Sequence, residues 1–260
     1  MAQQELYLRE DLQELWQGQD AFAAARAVSG TVFRKLEQRQ TLAFSHANRC
    51  YFIKRHRGVT WKEILKNLMQ LRLPVVSARN EFNAIRQLQQ LGIKVPGVAA
   101  YGRRGWLPAA LESFLVTDDV GEHVSLEDHC RHWAQHRPTF SHKRELLLQA
   151  ADIARTMHTA GICHRDFYLC HLLLTGDGEP LTVIDLHRAL IKQDLHERWR
   201  IKDLAGLYFS AMDAGLTQRD LLRFMLRYSQ RSLRTLLADE QAFWQAVQQR
   251  AQRSYRKHQR

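Results

Sequence analysis

Hydrophobic and polar residues alternate in the first half of the chain and recur at helical spacing in the second half. Alternation over about four to eight residues is typical of half-buried strands, and a spacing of three or four is typical of amphipathic helices. The pattern predicts an α+β protein with its sheet in the first half. The predicted strands are 30–36, 41–44, 50–54, 95–101 and 113–117.

Helices are predicted at 61–73 and 78–91, and over most of the chain beyond residue 124. Ser125 and Thr217 are each followed three residues later by Asp, which is the signature of a capped helix start. The first 27 residues are polar except for one apolar patch, which we expect to pack against the rest of the protein. The patch consists of Leu12, Leu15, Trp16 and Phe22.

A helix predicted over 144–159 leads to His164-Arg165-Asp166, the motif that carries most of the chemistry. An apolar run, a Gly- and Pro-containing turn at 175–180 and a second apolar run ending at Asp185 follow, which predicts a hairpin. This order is typical of the protein-kinase catalytic loop. There one carboxylate accepts the proton of the attacking hydroxyl, and the other holds the magnesium ion that bridges the nucleotide phosphates. We therefore predict Asp166 as the general base and Asp185 as a metal ligand.

Three features of the first half fit the same interpretation. Lys54 ends the third predicted strand, where a kinase lysine pairs with the nucleotide phosphates, and Glu81 can form an ion pair with it. The alternatives are a solvated lysine and a glutamate that complements a helix dipole. The strand ending near residue 117 resembles the one that enters a kinase hinge, so backbone groups from Asp118 to Val120 are expected to contact adenine.

Two departures from protein kinases bear on the substrate. The predicted turn at 37–40 contains no glycine, so its backbone cannot wrap closely on phosphates. Arg39 either replaces that loop or is an ordinary solvated residue. After Asp185 the chain has only a short basic connector and no Ala-Pro-Glu activation segment, which a peptide substrate would need. A small-molecule or glycolipid hydroxyl is therefore the better acceptor. Asp203, which follows the connector, is expected to brace the catalytic-loop backbone.

The 260-residue chain has a net charge of +11, which favours an acidic partner. Nucleic acid is not expected, because the chain has no base-reading or stacking motif. No stretch reaches the roughly 18 apolar residues of a membrane span and no secretory signal is present, which predicts a cytoplasmic protein. Four cysteines without a Cys-x-x-Cys pair indicate free thiols, and the Cys-His pairs at 163–164 and 170–171 do not match usual zinc-ligand spacing.

Arginines recur nearly every fourth residue after Thr217, which predicts one helix with a basic face. The face is either solvated or meets anionic lipid headgroups, as basic amphipathic helices do. The arginines are Arg219, Arg223, Arg227, Arg231 and Arg234.

From about residue 12 to 230 the sequence resembles the WaaP (RfaP) type of lipopolysaccharide core heptose(I) kinase. Two segments are distinctive of that family: Ile184-Asp185-Leu186-His187-Arg188, and Asp203-Leu204-x-Gly206-Leu207-Tyr208-Phe209-Ser210. The other matching segments are 52–58, 63–68, 164–171 and 198–202.

The resemblance implies a bilobal protein-kinase-like fold, with a small N-terminal lobe of antiparallel sheet and helices at 1–119 and a mainly helical lobe at 120–260. It implies that ATP and Mg²⁺ are the cofactors and that the first heptose of the lipopolysaccharide inner core is the acceptor. The acceptor already bears lipid A phosphates and Kdo carboxylates, which gives the positive charge of the chain a purpose. The protein would act at the anionic cytoplasmic face of the inner membrane, with acyl carrier protein as a candidate partner.

By the same resemblance, Lys54 contacts the phosphates, Glu81 positions Lys54, and Asp166 and Asp185 keep the roles given above. His171 takes the place of the second metal ligand of protein kinases, an Asn. Imidazole is a poor magnesium ligand, so His171 either joins the metal site, contacts phosphate or only shapes the loop.

Two alternatives remain open from the sequence. The enzyme could phosphorylate another core sugar, such as a different heptose or Kdo. The chain could instead be a pseudokinase scaffold, which the missing glycine loop favours and the presence of the base Asp166 opposes.

Overall fold

A computed structural model describes residues 4–36, 39–57, 77–105, 111–176 and 178–259. The chain divides into two compact units, Met1–Gln87 with Pro96–Val120, and Leu88–Val95 with Gly121–Arg260. In the second unit the N–H of Val183 donates to the carbonyl of Lys94 at 2.8 Å, which ties Leu88–Val95 to that unit.

The first unit is built on a six-stranded antiparallel sheet. Its spatial order is β1-β5-β6-β4-β3-β2, so the first strand of the chain lies at one edge and the second at the other. The strands are β1 (Gln4–Leu8), β2 (Thr31–Leu36), β3 (Arg39–His46), β4 (Arg49–Arg57), β5 (Val98–Arg104) and β6 (Glu112–Asp118).

All five predicted strands are present, and β3 and β4 are longer than predicted. A two-residue turn joins these two strands at Ala47 and Asn48, both with positive φ (46° and 62°), and His46 pairs with Arg49 directly across it. Such turns match the twist of the flanking strands and let pairing continue to the end. β1 was missed because a five-residue strand at a polar terminus gains its pairing only from β5.

Helices α1 (Glu10–Leu15) and α2 (Ala21–Ala27) cover one side of this sheet. The rings of Trp16 and Phe22 meet Phe114 of β6 edge-on at centroid distances of 5.6 and 5.2 Å. Leu12 is completely buried, so the predicted packing of the apolar patch is confirmed. Helix α3 (Arg79–Gln90) replaces the predicted 78–91 and buries Ile85 and Leu88.

The second unit is mainly helical, and its short strands flank the loop that carries His164-Arg165-Asp166. Capping by Ser125 and the full capping box of Thr217 with Asp220 are confirmed. The strands are β7 (Val124–Ser125), β8 (Ile162–Cys163), β9 (Leu172–Leu174), β10 (Thr182–Val183) and β11 (Leu190–Ile191); β9 and β10 form the predicted hairpin. The helices are α4 (Leu126–Cys130), α5 (Phe140–Thr159), α6 (Glu197–Ala211), α7 (Gln218–Ser229), α8 (Leu233–Asp239) and α9 (Gln241–His258).

The prediction of one helix with five arginines was wrong. Helix α7 ends at Ser229 because Gln230 adopts a left-handed conformation, and Ser232 caps the separate helix α8. Arg231 therefore lies between two helices and Arg234 on another one. The arginines are also partly neutralised, since Arg227 forms a 2.7 Å ion pair with Asp152.

The helix predicted at 61–73 and part of the turn predicted at 37–40 lie outside the described residues. Among the helices within the described ranges, none combines the length and the apolar character needed to cross a membrane.

Candidate active site

The turn after β8 carries His164, Arg165 and Asp166, and one buried carboxylate holds its backbone. Asp203 of α6 accepts hydrogen bonds from the N–H groups of His164 and Arg165 at 2.6 and 2.7 Å, which confirms the predicted bracing. Arg165 has a φ of 71°, a left-handed conformation that costs energy in any residue except glycine. The two hydrogen bonds stabilise this conformation and fix the start of Asp166, the next residue.

His171 joins the two predicted catalytic aspartates. Its Nδ1 lies 2.7 Å from the carbonyl oxygen of Asp166, which can only accept, so Nδ1 carries the proton. Its Nε2 lies 3.5 Å from Oδ2 of Asp185. The ring stacks on buried His164, which donates from Nε2 to the carbonyl of Ile184 at 2.9 Å. Three residues predicted from the sequence, Asp166, His171 and Asp185, therefore lie together.

His187 and Arg188, which follow Asp185 closely in the chain, contact the same aspartates. Neither residue had a role predicted from the sequence. His187 donates from Nδ1 to Oδ1 of Asp185 at 2.6 Å. Nη1 of Arg188 donates to both carboxylate oxygens of Asp166, at 2.9 and 3.1 Å. Their only sequence signal was membership of the Ile-Asp-Leu-His-Arg segment.

The face of α6 that meets the catalytic loop is formed by residues close to helical spacing. Asp203 accepts from the loop as described above, and Lys202 donates to the carbonyl oxygen of Arg165. About two turns further along α6, the hydroxyl of Ser210 accepts from the N–H of Leu169 at 3.0 Å. These contacts leave the loop backbone hydrogen-bonded to one rigid element.

Gly206 lies on the same face and permits close approach of helix and loop. A Cβ at this position would be 3.0 Å from the carbonyl oxygen of Phe167 and 3.2 Å from the ring of Tyr168. The segment 203–210, which the sequence shows only as a family signature, therefore has a direct physical function in supporting the loop.

Burial favours the neutral form of two basic groups near the loop. It lowers the pKa of His164, and it lowers the pKa of Lys202 against the attraction of Asp166. Burial opposes ionisation of Asp203 as well, but hydrogen bonding and attraction from His158 outweigh it and lower its pKa. A neutral His164 serves as a structural donor, while a charged Asp203 strengthens its hydrogen bonds to the loop.

In the first unit, Lys54 of β4 and Glu81 of α3 form the predicted contact. Nζ of Lys54 lies 2.5 Å from Oε1 of Glu81, and only 4% of Glu81 is exposed. A buried carboxylate holding one lysine restricts where that ammonium group can point. Its contact with phosphates stays a prediction.

The N–H groups at the end of β6 are already used in hydrogen bonds. Asp118 donates its N–H to Gly97 at 2.8 Å, and Asp119 donates to Cys50 at 2.9 Å. The carboxylate of Asp118 accepts two hydrogen bonds from Arg9, both 2.7 Å, a long-range pair that the sequence did not reveal. An adenine contact through either N–H would break these bonds, and the contact predicted at Val120 stays a prediction.

A separate cavity of about 590 Å³ lies among the helices of the second unit. Its wall is largely apolar, so the cavity suits binding of an apolar group better than proton transfer. Lining residues include Trp133, Leu146, Leu207, Met225, Leu236 and Trp244.

The possible magnesium donors near Asp185 include its own carboxylate and the imidazole of His171. Among the described residues no group of three or more His, Cys, Asp or Glu could enclose a metal ion. Magnesium is usually bound through one or two carboxylates, with waters and substrate phosphates completing its shell, so Asp185 fits this mode. His171 donates from Nδ1 to a carbonyl, as metal-bound histidines do, which leaves Nε2 toward Asp185. Imidazole nitrogen nevertheless suits magnesium less well than oxygen.

Comparison with known proteins gives a consistent result over nearly the whole chain. Residues 23–228 match the lipopolysaccharide kinase (Kdo/WaaP) family. The chain is 46% identical over 252 residues to the lipopolysaccharide core heptose(I) kinase WaaP of Escherichia coli (strain K12), covering 95% of each chain. It is 44% identical over 261 residues to the enzyme of the same description from Pseudomonas aeruginosa, covering 98% of this chain and 97% of that one.

A solved structure is also similar. It is described as WaaP in complex with acyl carrier protein, and it aligns with a TM-score of 0.84 and 40% sequence identity over 96% of this chain and 99% of that one. This similarity confirms the predicted α+β fold, with its antiparallel sheet followed by helices.

Proposed function

The chain belongs to the lipopolysaccharide kinase (Kdo/WaaP) family, and we propose that it transfers phosphate from ATP to the first heptose of the lipopolysaccharide inner core. It is a phosphotransferase that acts on a sugar hydroxyl. The observation that carries the assignment is the grouping of Asp166, His171 and Asp185 on a braced loop. A scaffold that only bound nucleotide would not need Asp166 there.

Asp166 is the general base in this proposal. Arg188 contacts both of its oxygens, and the backbone before it is held by Asp203, so the carboxylate has little freedom to turn away from a hydroxyl. It accepts the hydroxyl proton as the sugar oxygen attacks the terminal phosphoryl group. Orientation of the hydroxyl contributes as much as basicity where the transition state is loose.

Asp185 is the proposed magnesium ligand, with His171 beside it. When bound, magnesium would neutralise charge on the transferred phosphoryl group. His187 holds the carboxylate of Asp185 by its 2.6 Å hydrogen bond, so one oxygen is fixed and the orientation of the other is restricted.

In the first unit we assign nucleotide binding to Lys54, Glu81, Asp118 and Val120. Glu81 orients Lys54 toward a phosphate, and their 2.5 Å contact supports this role. The carbonyl of Asp118 and the N–H of Val120 are the backbone groups proposed to meet adenine. We propose 1–119 as the nucleotide-binding lobe, with Val120 directly after it, and 120–260 as the lobe that carries the catalytic loop and binds the acceptor.

We also propose that the enzyme works at the cytoplasmic face of the inner membrane and binds acyl carrier protein. A net charge of +11 favours an anionic membrane surface and an acidic protein partner alike. The relative solved with acyl carrier protein supports the second partner. The five arginines after Thr217 lie on α7, on α8 and between these helices, so they do not form one continuous lipid-binding face.

The experiment that tests the function is transfer of labelled phosphate from ATP to lipopolysaccharide that lacks core phosphate. We expect transfer by the wild type, and a rate lower by about 10²–10⁴ for Asp166→Asn, because a general base is lost. Asp239→Asn makes the same chemical change at an exposed position and should transfer at the wild-type rate.

Mapping the labelled sugar decides between this heptose and another core sugar. Nucleotide binding without transfer to any core acceptor would favour the pseudokinase scaffold. Equal rates for Asp166→Asn and wild type would show that Asp166 is not the base.

A further inference from the structure

Arg165 precedes the proposed base and points its charge at an aromatic ring. Its left-handed backbone is held by the N–H bond to Asp203 and by Lys202, which donates to its carbonyl. Its guanidinium carbon lies 5.5 Å from the ring centroid of Trp199, near the start of α6. A conformation that costs energy is thus stabilised by two separate residues, and such conformations are often found at functional sites.

No carboxylate neutralises the Arg165 guanidinium within the parts of the chain that the structure describes. Its Nε is buried and has no hydrogen-bond acceptor among those residues. Arg9 and Arg188 are by contrast paired with the carboxylates of Asp118 and Asp166. A buried donor nitrogen without an acceptor is costly, which favours a ligand that supplies an acceptor and a negative charge at Arg165.

A second arginine approaches the same ring from the surface. The guanidinium carbon of Arg198 is 4.9 Å from the centroid of Trp199, and Arg198 is exposed. Contact with an aromatic ring orients a guanidinium group but does not neutralise it. Glu197, the adjacent carboxylate, forms no ion pair with either arginine among the described residues. The exposed Arg198 and the half-buried Arg165 therefore place two positive charges on the ring of Trp199.

We propose that Arg165, Trp199 and Arg198 form a subsite for an oxyanion of the acceptor, a carboxylate or a phosphate. Guanidinium groups bind both anions through paired hydrogen bonds, and two of them on one ring provide matched donors. Arg165 is the residue before Asp166 in the chain, so an anion held there can belong to the same acceptor as the hydroxyl that reacts at the base. Binding it would orient the heptose hydroxyl toward Asp166. This subsite rests on the proposed function, because it names the part of the acceptor that the same active site recognises.

The test compares steady-state kinetics of Arg198→Gln, Arg165→Gln and a control, Arg137→Gln. Arg137 is exposed and distant in sequence from the subsite, so its variant should match the wild type. We expect both subsite variants to lose about 10- to 100-fold in kcat/KM for the acceptor, as for a lost charge-assisted pair. The KM for ATP should not change. Arg198→Gln decides the result if Arg165→Gln does not fold.

Each enzyme is also assayed with acceptor whose carboxylates are methyl-esterified and with acceptor that is dephosphorylated. If the anion is a carboxylate, esterification lowers the kcat/KM of the wild type to that of Arg198→Gln and leaves the kcat/KM of the variant unchanged. If the anion is a phosphate, dephosphorylation has this effect instead. Loss of the same factor by Arg198→Gln on all three acceptors, or no loss, overturns the subsite.

Failure of the proposed function is distinguishable from failure of the subsite. If the wild type transfers phosphate to no core acceptor, calorimetry with the soluble deacylated core oligosaccharide still measures the subsite. The subsite is supported if Arg198→Gln binds the oligosaccharide more weakly than the wild type does and if this difference disappears when the anion is removed from the oligosaccharide. Equal binding by the two proteins refutes the subsite.

Discussion

Replacing Asp203 by Asn should separate support of the catalytic loop from the chemistry of the loop. The side chain is fully buried and accepts the N–H groups of His164 and Arg165 at 2.6 and 2.7 Å. Hydrogen bonds to a charged group contribute about 1.5–3 kcal/mol each. Asn keeps the shape, but its NH₂ would face one of the two donors and leave it unsatisfied. The expected loss is about 3–5 kcal/mol in the free energy of unfolding, a large part of the roughly 5–15 kcal/mol typical of proteins.

Urea denaturation followed by tryptophan fluorescence and circular dichroism measures this loss, with Asp239→Asn as the exposed control. The rate of phosphate transfer, measured without urea at low temperature, should fall as well, because the backbone before Asp166 is no longer fixed. A destabilisation below about 1 kcal/mol would refute the reasoning, since it would mean that the two short hydrogen bonds contribute no more than neutral ones.

The same variant gives a pH dependence with a definite sign. The folded pKa of Asp203 lies below its ordinary value of 3.8, so ionisation stabilises the folded state. This contribution is fully present above pH 3.8 and is lost as the pH falls through the lower folded pKa. The stability difference between wild type and Asp203→Asn should therefore be constant near neutral pH and shrink below about pH 4.

Three further predictions concern residues that touch the proposed reacting groups. Arg188→Gln should lower kcat by about 10- to 100-fold with little change in KM for ATP, because Asp166 loses its orienting partner, and Arg188→Lys should recover part of the rate; equal rates would exclude this role. His171→Asn, which restores a side-chain oxygen, should keep magnesium-dependent transfer within about tenfold of wild type, whereas His171→Leu should lose more across a magnesium titration. Glu81→Gln should raise the KM for ATP about tenfold or more by releasing Lys54, and nucleotide binding by calorimetry that matches the wild type would contradict it.

The sequence by itself determined the elements and the chemistry that depend on near neighbours. Alternation predicted five strands because side-chain direction in a strand repeats every two residues. The order of Asp166, a hairpin and Asp185 predicted the catalytic loop, and the caps at Ser125 and Thr217 were readable because each involves residues three apart. Local signals missed β1, and they failed again at Gln230, where a left-handed residue of no special type ended α7 and separated the arginines.

Only the tertiary structure decided which distant residues meet. Arg9 and Asp118 are 109 positions apart, and Asp203 and His164 are 39 apart, so no periodicity connects them. The pairing of β1 with β5, the addition of Leu88–Val95 to the second unit and the contacts of His187 and Arg188 depend equally on how the chain folds back. Such contacts are fixed by the packing of whole elements, because burial selects the fold and an unpaired buried charge or N–H group is costly. A sequence pattern records the periods of its elements, and the free energy of packing decides their partners.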